Sequence, residues 1–340
     1  MKNQSIRVVM VDPVLPEQLG FLQGIADPLG IILQAPIADS EDELISLLKT
    51  ADAVIIQRKP FSRKLIEASP DLKMIQKMGG RRDGIDIHAA EERNIAVALM
   101  SLPGAVAVAE HTIALILALA KKIIPAHQWT KDGSYRNFGI EPKITTERSH
   151  GFQWMKMNEM MVELRGLTLG IIGFGDIGNE IAKRAQAFEM RVIYHNRNRL
   201  EPDLEKELHV SYCEKEELLK QSDFVSLNTP LNSETEKSIG AFELSLMKPT
   251  AFLINTSRGG VIDETALVEA LRDRKIAGAG LDVFVQEPVP YDHPFLKLDN
   301  VVLTPHIGGG KGGARERQPR AVLINIKKFF DEQPLDYRVV

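Results

Sequence analysis

Short runs of apolar and β-branched residues recur along the first hundred residues of the chain. They cover residues 6–12, 53–57, 72–77 and 95–99, and each is short enough for a buried parallel strand. Between the first two runs, an acidic stretch opens at Asp39 and Ser40 and carries Leu44, Leu47 and Leu48 on one helical stripe. Strands that alternate with helices predict a parallel α/β sheet.

The same alternation resumes at Thr168 and continues almost to the end of the chain. Strands are predicted at 168–172, 191–194, 224–227, 252–255, 279–281 and 301–303, with helices from Asp176, Glu214, Phe242 and Glu264. Six strands with intervening helices suffice for a doubly wound sheet. A further helix is predicted over residues 312–330.

Two different segments separate these α/β stretches. Residues 105–124 are almost continuously apolar and predict one long helix, whereas residues 129–165 are polar, aromatic and methionine-bearing without a clear period. A long aperiodic segment inside a compact protein is usually functional or an interface. We therefore expect residues 129–165 to form an extended arm that contacts a second copy of the chain.

A glycine-rich turn stands at the start of the second α/β stretch. Gly173, Gly175 and Gly178 form a G-x-G-x-x-G pattern that follows an apolar strand and precedes a helix, as in dinucleotide-binding turns. Because the turn lies mid-chain, the pattern predicts a Rossmann domain over 105–307, inserted into a second α/β domain formed by 1–104 and 308–340. The active site is expected in the cleft between these domains.

Composition excludes several classes of function. The net charge of −4 and the pI of about 6.1 predict binding neither to nucleic acid nor to an anionic membrane. Cys213 is the only cysteine, so an internal disulfide and a multi-cysteine metal site are impossible, and no metal is expected. The first residues lead into a strand without a signal-peptide pattern, which favours a cytoplasmic location.

Three polar residues follow late strands of the second stretch. Arg258 lies in N-T-S-R-G-G, Glu287 in D-V-F-V-Q-E-P and His306 in T-P-H-I-G. The carboxyl ends of parallel strands share one edge of the sheet, where ligands bind. The order and spacing of these motifs resemble the D-isomer-specific 2-hydroxyacid dehydrogenase family, as do V-A-E-H-T at 108–112 and D-G-I-D at 83–86.

This resemblance implies an activity and a set of roles. It implies two Rossmann-like domains, one of them flavodoxin-like, in a dimeric enzyme that reduces small 2-keto acids to D-2-hydroxy acids with a nicotinamide cofactor. His306 would be the proton donor, and Glu287 would stabilise its imidazolium. Arg258 would bind the substrate carboxylate and polarise the carbonyl group. His111 and His293 are expected to be structural.

The resemblance also implies binding residues for cofactor and substrate. The cofactor would contact Gly173, Gly175, Asp176, Ile177, Gly178, His195, Asn196, Arg197, Thr229, Pro230, Thr256, Ser257 and Asp282. Backbone N–H groups around Gly79, Gly80 and Arg81 would hold the substrate carboxylate together with Arg258. The family has a second glycine where Arg81 stands, so this side chain either narrows the pocket and adds positive charge, or points into solvent.

The end of the second strand of this domain bears on the choice of cofactor. His195, 22 residues after Gly173, occupies the position where the family usually has the aspartate that binds the ribose 2′-hydroxyl. Without that carboxylate a 2′-phosphate is not repelled, and Arg197 and Arg199 could pair with it. We therefore expect NADPH to be used at least as well as NADH.

Other functions remain open on the sequence alone. Pyruvate, glyoxylate and hydroxypyruvate all fit a small carboxylate-binding pocket, so D-lactate dehydrogenase and glyoxylate–hydroxypyruvate reductase activities are both allowed. A non-catalytic, nicotinamide-sensing corepressor shares the fold, but such proteins tend to carry long disordered tails. Phosphoglycerate dehydrogenase is a further alternative, for which only Arg81 and Arg82 hint at a phosphate-binding cluster.

Overall fold

The computed structural model describes residues 5–101, 103–142, 161–310, 314–336 and 338–340. It divides into two compact units. Met1–Val106 and Lys311–Val340 form one of them, the split unit, and Ala107–Gly310 form the other, the central unit.

The split unit is built on a five-stranded parallel sheet in the order β2-β1-β3-β4-β5. The strands are β1 (Ile6–Met10), β2 (Ile31–Gln34), β3 (Ala53–Ile56), β4 (Met74–Met78) and β5 (Ala96–Met100). Its helices are α1 (Pro16–Ala26), α2 (Glu41–Leu48), α3 (Arg63–Glu67), α4 (Ile87–Glu92) and the carboxyl-terminal α12 (Ala314–Phe330). Apolar side chains cover both faces of the sheet.

Four elements of the split unit are absent from the sequence prediction, namely helices α1, α3 and α4 and strand β2. Helix α1 begins at Pro16 after an N-cap residue, Leu15, that makes no side-chain capping bond, so it lacks the usual start signal. Strand β2 lies at the edge of the sheet, and its Ile32 is 46% exposed. By contrast, α2 begins as predicted, because the Ser40 side chain accepts a hydrogen bond from Glu43 N.

The central unit contains a seven-stranded parallel sheet in the order β12-β11-β10-β9-β6-β7-β8. Its strands are β6 (Thr168–Ile172), β7 (Arg191–His195), β8 (Ser211–Tyr212), β9 (Phe224–Leu227), β10 (Phe252–Asn255), β11 (Gly278–Leu281) and β12 (Val301–Leu303). Its helices are α5 (Pro103–Ala120, which begins in the split unit), α6 (Ile123–Asp132), α7 (Asp176–Ala187), α8 (Pro202–Glu207), α9 (Lys215–Gln221), α10 (Ala241–Leu246) and α11 (Glu264–Arg272). The short strand β8 and helix α8 are absent from the sequence prediction.

The prediction of one helix over residues 105–124 is wrong. The chain breaks after Ala120, and Lys122 adopts a left-handed backbone conformation with φ of +52°. Helix α6 then leaves at 57° to the preceding helix.

In the part of the chain that the structure describes, no single helix is long and apolar enough to cross a membrane. Only the bent pair of α5 and α6, taken together, has the length and the composition that such a span needs.

Only part of the predicted arm lies among the described residues. Residues 143–160, including Trp154, lie outside the described residues. Within the described part, Trp129 packs against Phe138 at a ring-centroid distance of 5.1 Å.

Candidate active site

Two of the predicted catalytic residues form a direct pair in the central unit. His306 Nδ1 lies 2.7 Å from Glu287 Oε2, and Glu287 Oε1 accepts a hydrogen bond of 3.0 Å from Phe284 N. A carboxylate only accepts, so Nδ1 carries the proton and Nε2 is left for a substrate. Burial opposes ionisation of Glu287, but the bonds from His306 and Phe284 outweigh it and lower the pKa of this carboxyl.

His306 lies in a loop of residues 304–308, the acid loop, which one buried carboxylate holds in place. Asp282 Oδ1 accepts hydrogen bonds from Thr304 Oγ1 at 2.6 Å and Ile307 N at 3.0 Å, and Oδ2 accepts one from Gly308 N at 2.8 Å. The His306 amide donates to Asp282 O at 2.8 Å. These bonds hold His306 at a φ of +55°, a conformation that residues with a side chain rarely adopt.

Asp282 therefore has a role that the sequence did not reveal. The resemblance places it near the nicotinamide amide, which stays a prediction. In the structure, Asp282 is 1% exposed and both of its carboxylate oxygens bind the acid loop.

The third predicted catalytic residue, Arg258, lies on the loop that follows β10. Asn255 shapes this loop, because its Nδ2 donates to Arg258 O at 3.0 Å and its Oδ1 accepts from Ser257 N at 3.0 Å. A Cβ at Gly259 would lie 1.9 Å from Phe284 C. Only glycine therefore allows this loop to pack against the segment that leads to Glu287, while the Arg258 side chain remains exposed.

The glycine turn of residues 173–178 has the shape that a pyrophosphate requires. Gly173 has φ of +91°, and a Cβ there would lie 2.7 Å from Asn228 C. A Cβ at Gly178 would lie 2.9 Å from Gly173 O, whereas Gly175 faces open space. Gly175 is also the N-cap of α7 and has no side chain to cap its first turn. The uncapped end of a twelve-residue helix is a ready anion site.

Two buried oxygens beside this turn also fit a bound cofactor. Asn228 Oδ1 and Thr229 Oγ1 are buried without a hydrogen-bond partner among the residues that the structure describes. An unsatisfied buried polar group costs about 1–3 kcal/mol, a cost that a hydrogen-bonding ligand removes. Thr229 was predicted to touch the cofactor, but Asn228 was not, because no sequence pattern marks it.

The end of β7 contains the residues that were expected to select the cofactor. Asn196 Oδ1 accepts from Phe174 N at 2.6 Å, which fastens the end of β7 to the glycine turn, and His195 Nδ1 contacts Cys213 O at 3.1 Å. The Arg197 side chain is 80% exposed, and its Nη1 lies 3.2 Å from Glu234 Oε2. Glu234, itself 67% exposed, was not predicted to be at this site.

Arg199 differs from Arg197 in its environment. Its Nε and Nη2 each donate at 2.8 Å to Glu205, a carboxylate that is 9% exposed. Glu205 also accepts a 2.7 Å hydrogen bond from Tyr194 OH. Arg199, although 57% exposed, is therefore held by two hydrogen bonds to a buried carboxylate, and Arg197 is the more accessible cation.

The predicted substrate loop belongs to the split unit. Gly79 N donates to Met100 O at 2.8 Å, so this donor is already satisfied within the unit. The Arg81 side chain is 13% exposed and its Nη2 lies 3.0 Å from Asp83 Oδ2, so it does not extend into solvent. Lys77 Nζ binds Asp83 O and lies 3.8 Å from Asp83 Oδ1. Two cations therefore share one carboxylate.

The arrangement in the central unit suits proton transfer beside an apolar cavity. A cavity of about 550 Å³ adjoins the acid pair and is walled mainly by apolar side chains, among them Phe284, Leu296 and Leu303. Within the described ranges, no group of three or more histidine, cysteine, aspartate or glutamate side chains could hold a metal ion.

Comparison with known proteins identifies the family. Residues 113–308 match the sequence model described as D-isomer specific 2-hydroxyacid dehydrogenase, NAD binding domain. The chain belongs to the D-isomer-specific 2-hydroxyacid dehydrogenase family. Among its relatives in this family, the glyoxylate reductase of Thermococcus litoralis is 40% identical over 297 residues, which are 86% of this chain and 85% of that protein.

Solved structures of the family agree with this assignment. A glyoxylate reductase from Paecilomyes thermophila is 31% identical, with a TM-score of 0.54 over 98% of both chains. An acyclic imino acid reductase, Bsp5, solved with NADPH and D-Arg, is 30% identical, with a TM-score of 0.53 over 98% of this chain and all of that one.

These findings confirm the expected family, the α/β fold with two Rossmann-like domains, and the class of enzyme. The chain is an NAD(P)-dependent oxidoreductase that reduces 2-keto acids to 2-hydroxy acids. They give no support to a non-catalytic corepressor or to a phosphoglycerate dehydrogenase.

Proposed function

We propose that this enzyme reduces glyoxylate and closely related small 2-keto acids, and that it accepts NADPH at least as well as NADH. The observation that carries the reaction is the 2.7 Å pair of His306 and Glu287 in a loop held by Asp282. The substrate is supported by the similarity to glyoxylate reductases.

The pair explains how the enzyme would deliver a proton. When bound, the nicotinamide supplies the hydride that the carbonyl carbon accepts. His306 gives its Nε2 proton to the carbonyl oxygen, while Glu287 holds Nδ1 and balances the positive charge of the imidazolium. In the reverse direction neutral His306 takes the hydroxyl proton. General acid catalysis of this kind contributes about 10²- to 10⁴-fold to the rate.

Arg258 would bind the substrate carboxylate. The guanidinium fork of Arg258 matches a carboxylate and polarises the neighbouring carbonyl. In this proposal the glycine turn, Thr229, Pro230, Thr256 and Ser257 contact the cofactor, so residues 105–307 form the cofactor domain. Residues 1–104 and 308–340 form the substrate domain, which binds substrate through the loop around Gly80.

The preference for NADPH rests on the end of β7. His195 replaces the usual carboxylate, and Arg197 is an exposed cation whose partner, Glu234, is also exposed. A surface ion pair of this kind is worth about 0–1 kcal/mol, so a 2′-phosphate can displace Glu234 at little cost. The solved relative with NADPH bound supports this part of the proposal.

A substrate panel tests both parts together. The loss of nicotinamide absorbance is followed with glyoxylate, pyruvate and hydroxypyruvate, each with NADPH and with NADH. We expect the highest kcat/KM with glyoxylate, and a value with NADPH that equals or exceeds that with NADH. A hundredfold preference for NADH would overturn the cofactor proposal, and no turnover with any pair would overturn the reaction.

We also propose that the enzyme is a homodimer that works in the cytoplasm, with residues 129–165 as the contacting arm. Helix α6, which leads into this arm, supports the proposal, because it has no buried residue and its Ile123 and Ile124 are 48% and 56% exposed. The single cysteine, Cys213, suits a reducing compartment. Light scattering that returns the mass of one chain, 37.9 kDa, would contradict the dimer.

A further inference from the structure

Two neighbouring residues of α5 bind the loops that carry the candidate catalytic residues, yet the mechanism above does not use them. His111 Nε2 lies 2.9 Å from Thr304 Oγ1 and 3.2 Å from Asp282 Oδ1, so it reaches the acid loop. Thr112 Oγ1 lies 2.9 Å from Thr256 Oγ1, on the loop of Arg258. Each contacted threonine precedes a candidate catalytic residue by two positions.

The direction of these hydrogen bonds follows from the partners. Thr304 Oγ1 lies 2.6 Å from Asp282 Oδ1, which only accepts, so the hydroxyl gives its single proton there and is left to accept from His111 Nε2–H. Thr112 Oγ1 donates to Val108 O at 2.8 Å, so it accepts from Thr256. Helix α5 therefore supplies a donor to one loop and an acceptor to the other.

We propose that His111 is a positioning residue for proton transfer, which holds the acid loop in the geometry that aims His306, and that Thr112 does the same for the loop of Arg258. This inference rests on the proposed function, because it assigns His306 to proton transfer. His111 was expected to be structural; its contacts go to the acid loop and to the carboxylate that anchors it.

The packing around His111 leaves little room for adjustment. A Cβ at Gly308 would lie 3.2 Å from His111 Cδ2 and 2.9 Å from Asp282 Oδ2. The imidazole therefore packs directly against the end of the acid loop. Because His306 is held in a left-handed conformation, loss of one anchor lets the loop relax toward less strained geometry. Misplacement of a catalytic group by about 1 Å can cost 10²-fold in rate.

The test compares two substitutions of His111 with a matched control. His111→Leu removes the donor, whereas His111→Gln can place an amide N–H near the position of Nε2. His293→Leu is the control, because His293 is equally exposed, at 17%, and also faces a carboxylate, with its Nε2 3.5 Å from Glu264 Oε2. We expect kcat to fall about 10- to 100-fold in His111→Leu, with the cofactor KM within about twofold, and to recover mostly in His111→Gln.

A second measurement separates this inference from the proposed function. The NMR resonance of the His306 Nδ1 proton reports its bond to Glu287 without any turnover. We expect it to shift in His111→Leu and to remain in place in His111→Gln and His293→Leu. If the unmodified enzyme reduces no 2-keto acid, the proposed function is overturned. The inference about His111 is overturned if His111→Leu keeps over half of kcat or leaves this resonance in place.

Equal losses of kcat in His111→Leu and His293→Leu would also overturn the inference, because they would show general sensitivity to loss of a half-buried imidazole.

If His111→Leu does not fold, the contact between His111 and Thr304 is tested by changing Thr304 instead. Thr304→Val removes the hydroxyl with little change of shape, and Thr304→Ser keeps it. We expect the loss of kcat in the valine variant only; equal activity of the two would contradict the role of this contact.

Discussion

The acid loop and the end of β7 follow strands of the same parallel sheet, but they are built in opposite ways. Asp282, 1% exposed, binds the acid loop through two amides and a hydroxyl. At the end of β7, Arg197 is 80% exposed. Among the ion pairs of the described residues, its only partner is Glu234, another exposed side chain, at 3.2 Å.

In the proposed function, the difference separates the part of the site that must be rigid from the part that would select a cofactor. Proton transfer depends on the position of one nitrogen atom, so the geometry around His306 is fixed by buried, charge-assisted hydrogen bonds. Recognition of a 2′-phosphate needs only an accessible positive charge. We therefore expect changes at the acid loop to reduce turnover with both cofactors alike, and changes at the end of β7 to alter only their ratio.

The largest effect is expected for His306→Ala. Loss of the general acid should lower kcat by about 10²- to 10⁴-fold, by the same factor with NADPH and NADH. Steady-state assays with both cofactors measure this, and fluorescence titration should show that cofactor affinity is unchanged. Near-normal turnover would remove His306 from the mechanism, and a loss with one cofactor alone would break the separation of the two regions.

A smaller effect is expected for Glu287→Gln, and it should depend on pH. The pKa of Glu287 is lowered, so this carboxylate stays ionised at neutral pH and can balance the positive charge on His306 during proton transfer. In the unmodified enzyme, its protonation should not limit reduction until the pH falls below the ordinary glutamate value of 4.5. The glutamine variant keeps the shape but not the charge, so kcat for reduction should fall about 10- to 100-fold, and the acid decline that Glu287 sets should be absent from its pH profile. Near-normal kcat, or an acid decline unchanged from that of the unmodified enzyme, would contradict an electrostatic role for Glu287.

The strands and the site motifs were visible in the sequence for different physical reasons. Strands β6, β9, β10 and β12 have the predicted bounds, because buried parallel strands are short, continuous apolar runs. The break at Lys122 was missed, since a left-handed lysine carries no local signal of the kind that glycine gives. The sequence also placed Arg258, Glu287 and His306 after strands that end at one edge of the sheet.

The contacts around these residues could not be predicted in the same way. His111 and Thr304 are 193 positions apart, and only the fold brings them within 2.9 Å. The sequence likewise does not show which charged side chains are already paired in the fold. Arg197 and Arg199 look equivalent in sequence, but Glu205, which lies on α8, binds Arg199, while Arg197 stays accessible. A pattern identifies which residue types are present, and tertiary contacts decide which of them are available to a ligand.

The smallest effect is expected at Arg197. It tests most directly whether the acid loop and the end of β7 have separate roles. Arg197→Ala should lower kcat/KM with NADPH by about tenfold and leave the value with NADH nearly unchanged, because an exposed arginine gains only the lower end of the about 1.5–3 kcal/mol that a charge-assisted hydrogen bond contributes. Arg165→Ala is the matched control, since Arg165 is 67% exposed and pairs with the exposed Glu189 at 2.8 Å. Glu234→Gln, which frees Arg197 from its competing carboxylate, should change the cofactor ratio in the opposite direction. Equal losses with both cofactors in Arg197→Ala would show that the end of β7 also supports catalysis, and the two regions would then not be separable.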